Sequence, residues 1–286
     1  MAALPVTDTR GRAPHGLPRP LLVGLILLAA VLALAILGPW LAHYDLDAMA
    51  VEMRLRPPSA EHWLGTDEFG RDVLSRLLHG AQSSLLMGFG ATALSVLVGV
   101  PLGLAAGYYR GHVDEIVMRT VDVMISVPPI LLGLLILSVT TPNIWKTMAA
   151  VGLVYVPIMV RLARSVTLEV ASEEFVQAAR ARGERGGYLL FREILPNAWP
   201  PLIVEAALRI TFAIMLGAAL SFLGLGVQPP ASDWGLMISE ARPYLQSAPW
   251  IACAPGLALC ATVLAINWIG DGLRVVLDPR LKRRAA

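Results

Sequence analysis

The chain has 286 residues, 56% of them hydrophobic and only 15% charged, with a mean hydropathy of +0.64. A soluble domain carries about a quarter charged residues. The composition therefore excludes a soluble globular enzyme, and apolar blocks of about 20 residues mark an integral membrane protein. A formal net charge of +2, with no basic patch, excludes a nucleic-acid partner.

In chain order, residues 1–20 read as a tail, with Pro5, Pro14, Pro18 and Pro20 among Arg10, Arg12 and Arg19. The run Leu21–Leu41 is too long for the apolar core of a signal peptide. It reads as an uncleaved first membrane helix within 21–42, with Ala29-Ala30 as the alternative cleavage point. The segment 43–81 is polar, and Pro57-Pro58 breaks it. Thr66 is positioned to cap a helix carrying Asp67 and Glu68 in its first turn. Asp67/Arg71 and Asp72/Arg76 form i,i+4 pairs. Phe69, Val73, Leu74, Leu77 and Leu78 form an apolar stripe, so a helix lying along the membrane surface is predicted. It either folds back on its own membrane domain or contacts a delivery protein.

Five more uncharged blocks follow: Ser83–Tyr108, Val123–Ser138, about Trp145–Ala163, Ile210–Leu225 and Trp250–Ile269. The block from 145 has both ends snorkelling, at Lys146 and Arg161. Six spans put both termini on one side, and basic residues decide which. With the termini inside, seventeen Lys and Arg fall on inner segments and six on outer ones, so both termini are predicted to be cytoplasmic. Cys253 and Cys260 sit about 10 Å apart along one helix, too far for a disulfide.

The loop between the fourth and fifth spans does not need to exist for membrane crossing. Ser172 is a good N-cap, and Glu173 and Glu174 suit the positive end of a helix. Phe175, Val176, Ala178 and Ala179 supply an apolar face. Arg180 and Arg182 occupy the last turn, and Gly183 suits the left-handed C′ position. A second short helix is predicted from Tyr188 to Leu195, stopped by Pro196, Pro200 and Pro201. Helices this short need something to pack on, either the protein's own inner surface or a cleft in a soluble partner.

Gln177-Ala178-Ala179, three residues, Gly183, then Leu195-Pro196 with the proline thirteen residues beyond the glycine, resembles the Glu-Ala-Ala loop of ABC importer permeases. Gln177 stands at the motif's Glu, and Glu193 at its Ile. Other stretches resemble the peptide/nickel branch, similar to the C subunit of dipeptide and oligopeptide importers. They are His62-Trp63-Leu64-Gly65-Thr66-Asp67 to Gly70-Arg71-Asp72 with Ser75-Arg76, Ser221-Phe222-Leu223-Gly224-Leu225-Gly226, Gly270-Asp271-Gly272-Leu273-Arg274, and Leu277-Asp278-Pro279-Arg280. The resemblance spans about 60–284. It implies an all-α membrane protein with the type I ABC importer permease fold. The transmembrane domain would occupy 82–271, with a coupling loop at 165–201, and a basic cytoplasmic tail would occupy 272–286.

The resemblance further implies that Glu174, Gln177, Ala178, Ala179, Arg180, Gly183, Leu195 and Pro196 form the ATPase-coupling loop. Small side chains at 178 and 179 allow two backbones to approach closely. Replacing the acid by Gln177 removes any salt bridge but keeps size and an acceptor. The implied partners are a homologous sister permease, two ATPase subunits, an extracytoplasmic solute-binding protein and membrane lipid in a bacterial inner membrane. The cargo would be a peptide or a related solute; nickel-chelate, opine and glutathione carriers share these motifs.

The chain itself lacks the residues for chemistry. A phosphate-cradling loop needs a Gly-Lys pair, and neither lysine, Lys146 or Lys282, follows a glycine. ATP and Mg would therefore be bound by the partner ATPases, with no cofactor on this chain. The histidines His15, His43, His62, His79 and His112 are scattered, which argues against a metal site. Within or beside the spans, Asn267 reads as an interhelical hydrogen bonder or a solute contact. Arg119 can pair with Glu115 and Asp122, and Arg209 with Glu205. Pro128-Pro129 and Pro157 are expected to interrupt helices. An ion-coupled transporter would need paired central acids, which the spans lack, and a non-transporting scaffold would not need the capped loop.

Overall fold

A computed structural model describes residues 18–46 and 48–277. Most of the predicted N-terminal tail, and the tail residues from Asp278 onward, lie outside the described residues. Helices dominate: α1 (Arg19–Leu41), α2 (Val73–Tyr109), α3 (Gly111–Ser126), α4 (Pro129–Ser138), α5 (Ile144–Val170), α6 (Glu174–Ala181), the short turn α7 (Gly186–Tyr188), α8 (Leu195–Phe222), α9 (Trp234–Ala241) and α10 (Trp250–Leu277). Five helical stretches are long and apolar enough to cross a membrane, and the bent pair α3–α4 brings the total to as many as six.

The predicted surface helix does not form. Thr66 and Asp72 close a bridge around the turn instead. Asp72 caps α2, accepting a 2.7 Å bond from the Ser75 N–H. The stripe from Val73 to Leu78 then runs on without a break into the second span, giving one helix of 37 residues. The stripe keeps its phase, and no proline follows until Pro101, so nothing separates a surface helix from a membrane helix.

The turn before α2 is held by buried charge. Asp67 accepts from Arg71 Nε at 2.6 Å and from Arg76 Nη1 at 2.8 Å. Arg76 Nη2 donates to Glu240 of α9 at 2.6 Å. The Asp67/Arg71 pair is thus present outside any helix. The expected Asp72/Arg76 pair is absent: Asp72 bonds His62 Nδ1 at 2.9 Å, because its capping role turns it away from Arg76.

The third span is broken. α3 and α4 meet at 94°. Pro128 and Pro129 remove two donors, and Val127, preceding a proline, is extended. Pro157, by contrast, interrupts nothing: α5 is continuous for 27 residues, with Pro157 buried. The span from 145 also runs past Ala163. Arg161 and Arg164 pair across to Asp122 and Asp114 of α3. Asp122 is thereby taken from Arg119, which keeps only Glu115 at 2.9 Å.

The fifth span starts earlier than predicted, and its prolines do not stop it. A single wide π turn, Leu189–Ile194, joins α7 to α8. Its wider ring shifts the carbonyl register just before Pro196, where the missing N–H falls in the first turn of α8. The sixth span likewise extends to Leu277. Within the spans, Thr211 donates to Asn267 at 3.3 Å, so Asn267 is an interhelical hydrogen bonder.

α2 and α5 pack most closely. Gly99, Gly103 and Gly107 form a stripe four residues apart. A Cβ at Gly103 would lie 2.5 Å from the Val160 carbonyl and 2.6 Å from Ala163 Cβ. Contact between helices without side chains in the way maximises packing where water supplies no hydrophobic drive.

Candidate functional site: the loop between α5 and α8

The loop grows out of α5 with almost no slack. Ala171 to Glu173 turn the chain through bonds back to Thr167, Glu169 and Val170, and α6 begins at Glu174. Ser172 does not cap it. Its hydroxyl donates back to the Glu169 carbonyl at 2.6 Å, and Glu173 holds the N-cap position without a side-chain bond.

The C-terminal end of α6 follows the sequence expectation. Gly183 has φ +84°. Its N–H bonds the Arg180 carbonyl at 3.0 Å, and the Glu184 N–H reaches back to Ala179 at 3.3 Å. This is the paired closure of a Schellman motif. An added Cβ at Gly183 would meet nothing within 4 Å, so the backbone angle, not space, requires glycine.

The apolar face of α6 is split in two. Val176 and Ala179 are fully buried. Val176 joins a core formed by Leu104 of α2, Met159, Val166 and Val170 of α5, and Leu190 and Ile194 of the π turn. Phe175 and Ala178 face outward, with Phe175 42% exposed. Tyr188 and Phe191, at 41% and 59%, extend this exposed apolar surface along the next turns. Glu174, Arg180, Arg182 and Gly183 are also exposed, Leu195 is half-buried and Pro196 exposed.

Gln177 uses its donor, not its acceptor. Its Nε2 donates to the Ala171 carbonyl at 2.8 Å, satisfying an acceptor freed where α5 ends. The sequence reading, which counted only size and an acceptor, missed this contact. Arg180 is also engaged within the chain, with its guanidinium carbon 5.5 Å from the Tyr108 ring centre. The structure thus brings Glu174 to Gly183 into one short exposed unit backed by a core shared with α2 and α5. Leu195 and Pro196 stand at the start of α8.

Two ion pairs escaped the sequence reading. Arg164 binds Asp114 through both carboxylate oxygens, and Arg161 Nη2 donates to Asp122 at 2.7 Å. Both link α5 to α3 across about 40–50 residues of sequence. Their sequence signal was the recurrence of Asp114 and Asp122 eight apart, two turns on one helix face. Among the described residues, no group of His, Cys, Asp and Glu could hold a metal ion.

Comparison with known proteins bears on this arrangement. Residues 99–283 match the family described as binding-protein-dependent transport system inner membrane component. Residues 19–58 match the N-terminal TM domain of oligopeptide transport permease C. The chain is 43% identical to the dipeptide transport system permease protein DppC of Alkalihalophilus pseudofirmus, over 91% of this chain and 86% of that one. It is 42% identical to the di/tripeptide transport system permease protein DppC of Pseudomonas aeruginosa, over 92% and 88%. The glutathione transport system permease protein GsiD of Pectobacterium atrosepticum is 40% identical over 91% and 86%. The fold is similar to a chain of the inward-facing MetNI methionine ABC transporter, with a TM-score of 0.61 at 18% identity, covering 71% of this chain and 96% of that one. With the apolar helices already described, these matches make the chain a multi-pass protein of the bacterial inner membrane, and it belongs to the family of binding-protein-dependent transport system inner membrane components.

Proposed function

We propose that the chain is one of two permease subunits of an ATP-driven importer of di- or oligopeptides, with residues 174–183 as the coupling helix. The observation that carries this reading is the split face of α6. Val176 locks the helix to the transmembrane core and Ala179 is buried, while Phe175 and Ala178 remain outside, with the small Ala178 where a second backbone would approach. A push on α6 therefore passes directly to α5, three residues of turn away, and through the π turn to α8. Two ATPase subunits would bind ATP and Mg and grip this loop from the cytoplasm. A sister permease would complete the pathway, and a solute-binding protein would deliver cargo from outside. The chain contributes no covalent step. Peptide cargo is supported by the names of the dipeptide and di/tripeptide relatives.

The test is co-purification of the complex with Gly183→Asp. The side chain has room but the positive φ disfavours it, so the fold of the spans is expected to persist while ATPase recovery and ATP-dependent peptide uptake fall together. Purification of the chain alone with uptake retained would reject the reading.

A further inference from the structure

The face formed by α3, α5 and α8 carries charges that lipid cannot accommodate. Arg161 on α5 and Asp122 on α3 have side chains 51% and 62% exposed, and Glu205 on α8 is partly exposed. Arg161 lies nine residues before the end of α5 and Glu205 ten residues after the start of α8. Both therefore stand about 14–15 Å along the helix axes from the loop that carries α6, and a bilayer core about 30 Å thick measured from the opposite helix ends, Ile144 and Phe222, would include them. Ionised side chains at such depth face a protein partner or a water-filled path.

A cleft of about 400 Å³ opens there, lined by Ile125, Ile158, Arg161, Leu162, Ser165 and Glu205. It has one cation, one anion and an otherwise mostly apolar wall. Arg161 commits only Nη2 to Asp122, which leaves Nε and Nη1 for a carboxylate. Glu205 contacts Arg209 through Oε1 alone, at 2.8 Å, which leaves Oε2 for a cation. Arg209 is itself held over the Phe212 ring at 4.6 Å.

We propose that this cleft is a transit site for a zwitterionic short peptide, with its α-carboxylate on Arg161 and its ammonium on Glu205. The inference rests on the peptide-importer reading above. Walls that are apolar apart from the Ser165 hydroxyl would accept many side chains, so recognition falls on the two termini that every such peptide shares. Arginine suits the carboxylate because its planar donors match the two oxygens.

The experiment uses the assembled transporter in lipid nanodiscs without ATP, carrying Ser165→Cys with Cys253→Ala and Cys260→Ala. The rate of thiol labelling at 165 by a membrane-impermeant reagent is measured against added dialanine. A saturable slowing is expected, about threefold at twice the dissociation constant. N-acetyl-alanine amide, which lacks both charges, should leave the rate unchanged. Arg161→Gln should abolish the protection and Arg161→Lys should retain part of it. No labelling without peptide, no protection by dialanine, or equal protection by the uncharged analogue would each overturn the proposal. ATP-driven dialanine uptake by the unmodified complex tests the importer reading separately. Uptake without protection at 165 would sink the transit site alone.

Discussion

At Gln177 a single amide replaces the acid of the motif and changes what the position does. The amide donates to the Ala171 carbonyl, which a carboxylate has no proton to do. Gln177→Glu is expected to cost about 1 kcal/mol of local stability, read as faster amide hydrogen exchange across 171–183 with the spans unchanged. Glu68 makes the opposite case for a charge. Burial pushes its carboxyl above the ordinary value of 4.5, against a smaller pull from Arg71, and its Oε2 has no partner. A raised folded pKa gives stability that is present below 4.5 and lost as pH rises through the shifted value. Glu68→Gln should therefore melt higher than the wild type at neutral pH, and the gap should close on acidification below 4.5. Thermal unfolding in nanodiscs across that range checks the sign.

Among the elements, those that sequence made legible are the ones set by local chemistry. Leu21–Leu41 was plain from its apolar run, and the end of α6 was plain from Arg180, Arg182 and Gly183, because a left-handed closure needs only nearby residues. The start of α2 and the joining of α7 to α8 were not legible. Both depend on whether adjacent helical phases fuse, which is decided by Asp72 acting as the cap and by a π turn absorbing Pro196. Neither leaves a periodic signal. The orientation of α6 was half legible: periodicity marked Phe175, Val176, Ala178 and Ala179 as apolar, but only packing on α5 and the π turn divides them into inner and outer sides. The α2–α5 contact is as exacting as its geometry suggests. Gly103→Leu would force a side chain into the Val160 carbonyl and should destabilise the protein by about 1–3 kcal/mol, seen as a lower melting temperature and reduced folded yield.

For the whole molecule, orientation is the property on which the proposed role turns. The distribution of Arg and Lys predicts cytoplasmic termini and an inner α6 loop. Arg182→Cys, in the Cys253→Ala and Cys260→Ala background, is expected to react with an impermeant thiol reagent in inside-out vesicles and not in right-side-out ones. Labelling from the outer side alone would reverse the topology and remove the coupling role.

The Asp67–Arg76–Glu240 linkage ties the first turn of α2 to α9, while α6 packs near the opposite end of the same 37-residue rod. At 1.5 Å per residue that rod is about 55 Å long. With one tip anchored, a tilt of about 5° would carry the far end, where α6 packs, by roughly 5 Å, the rise of a whole helical turn.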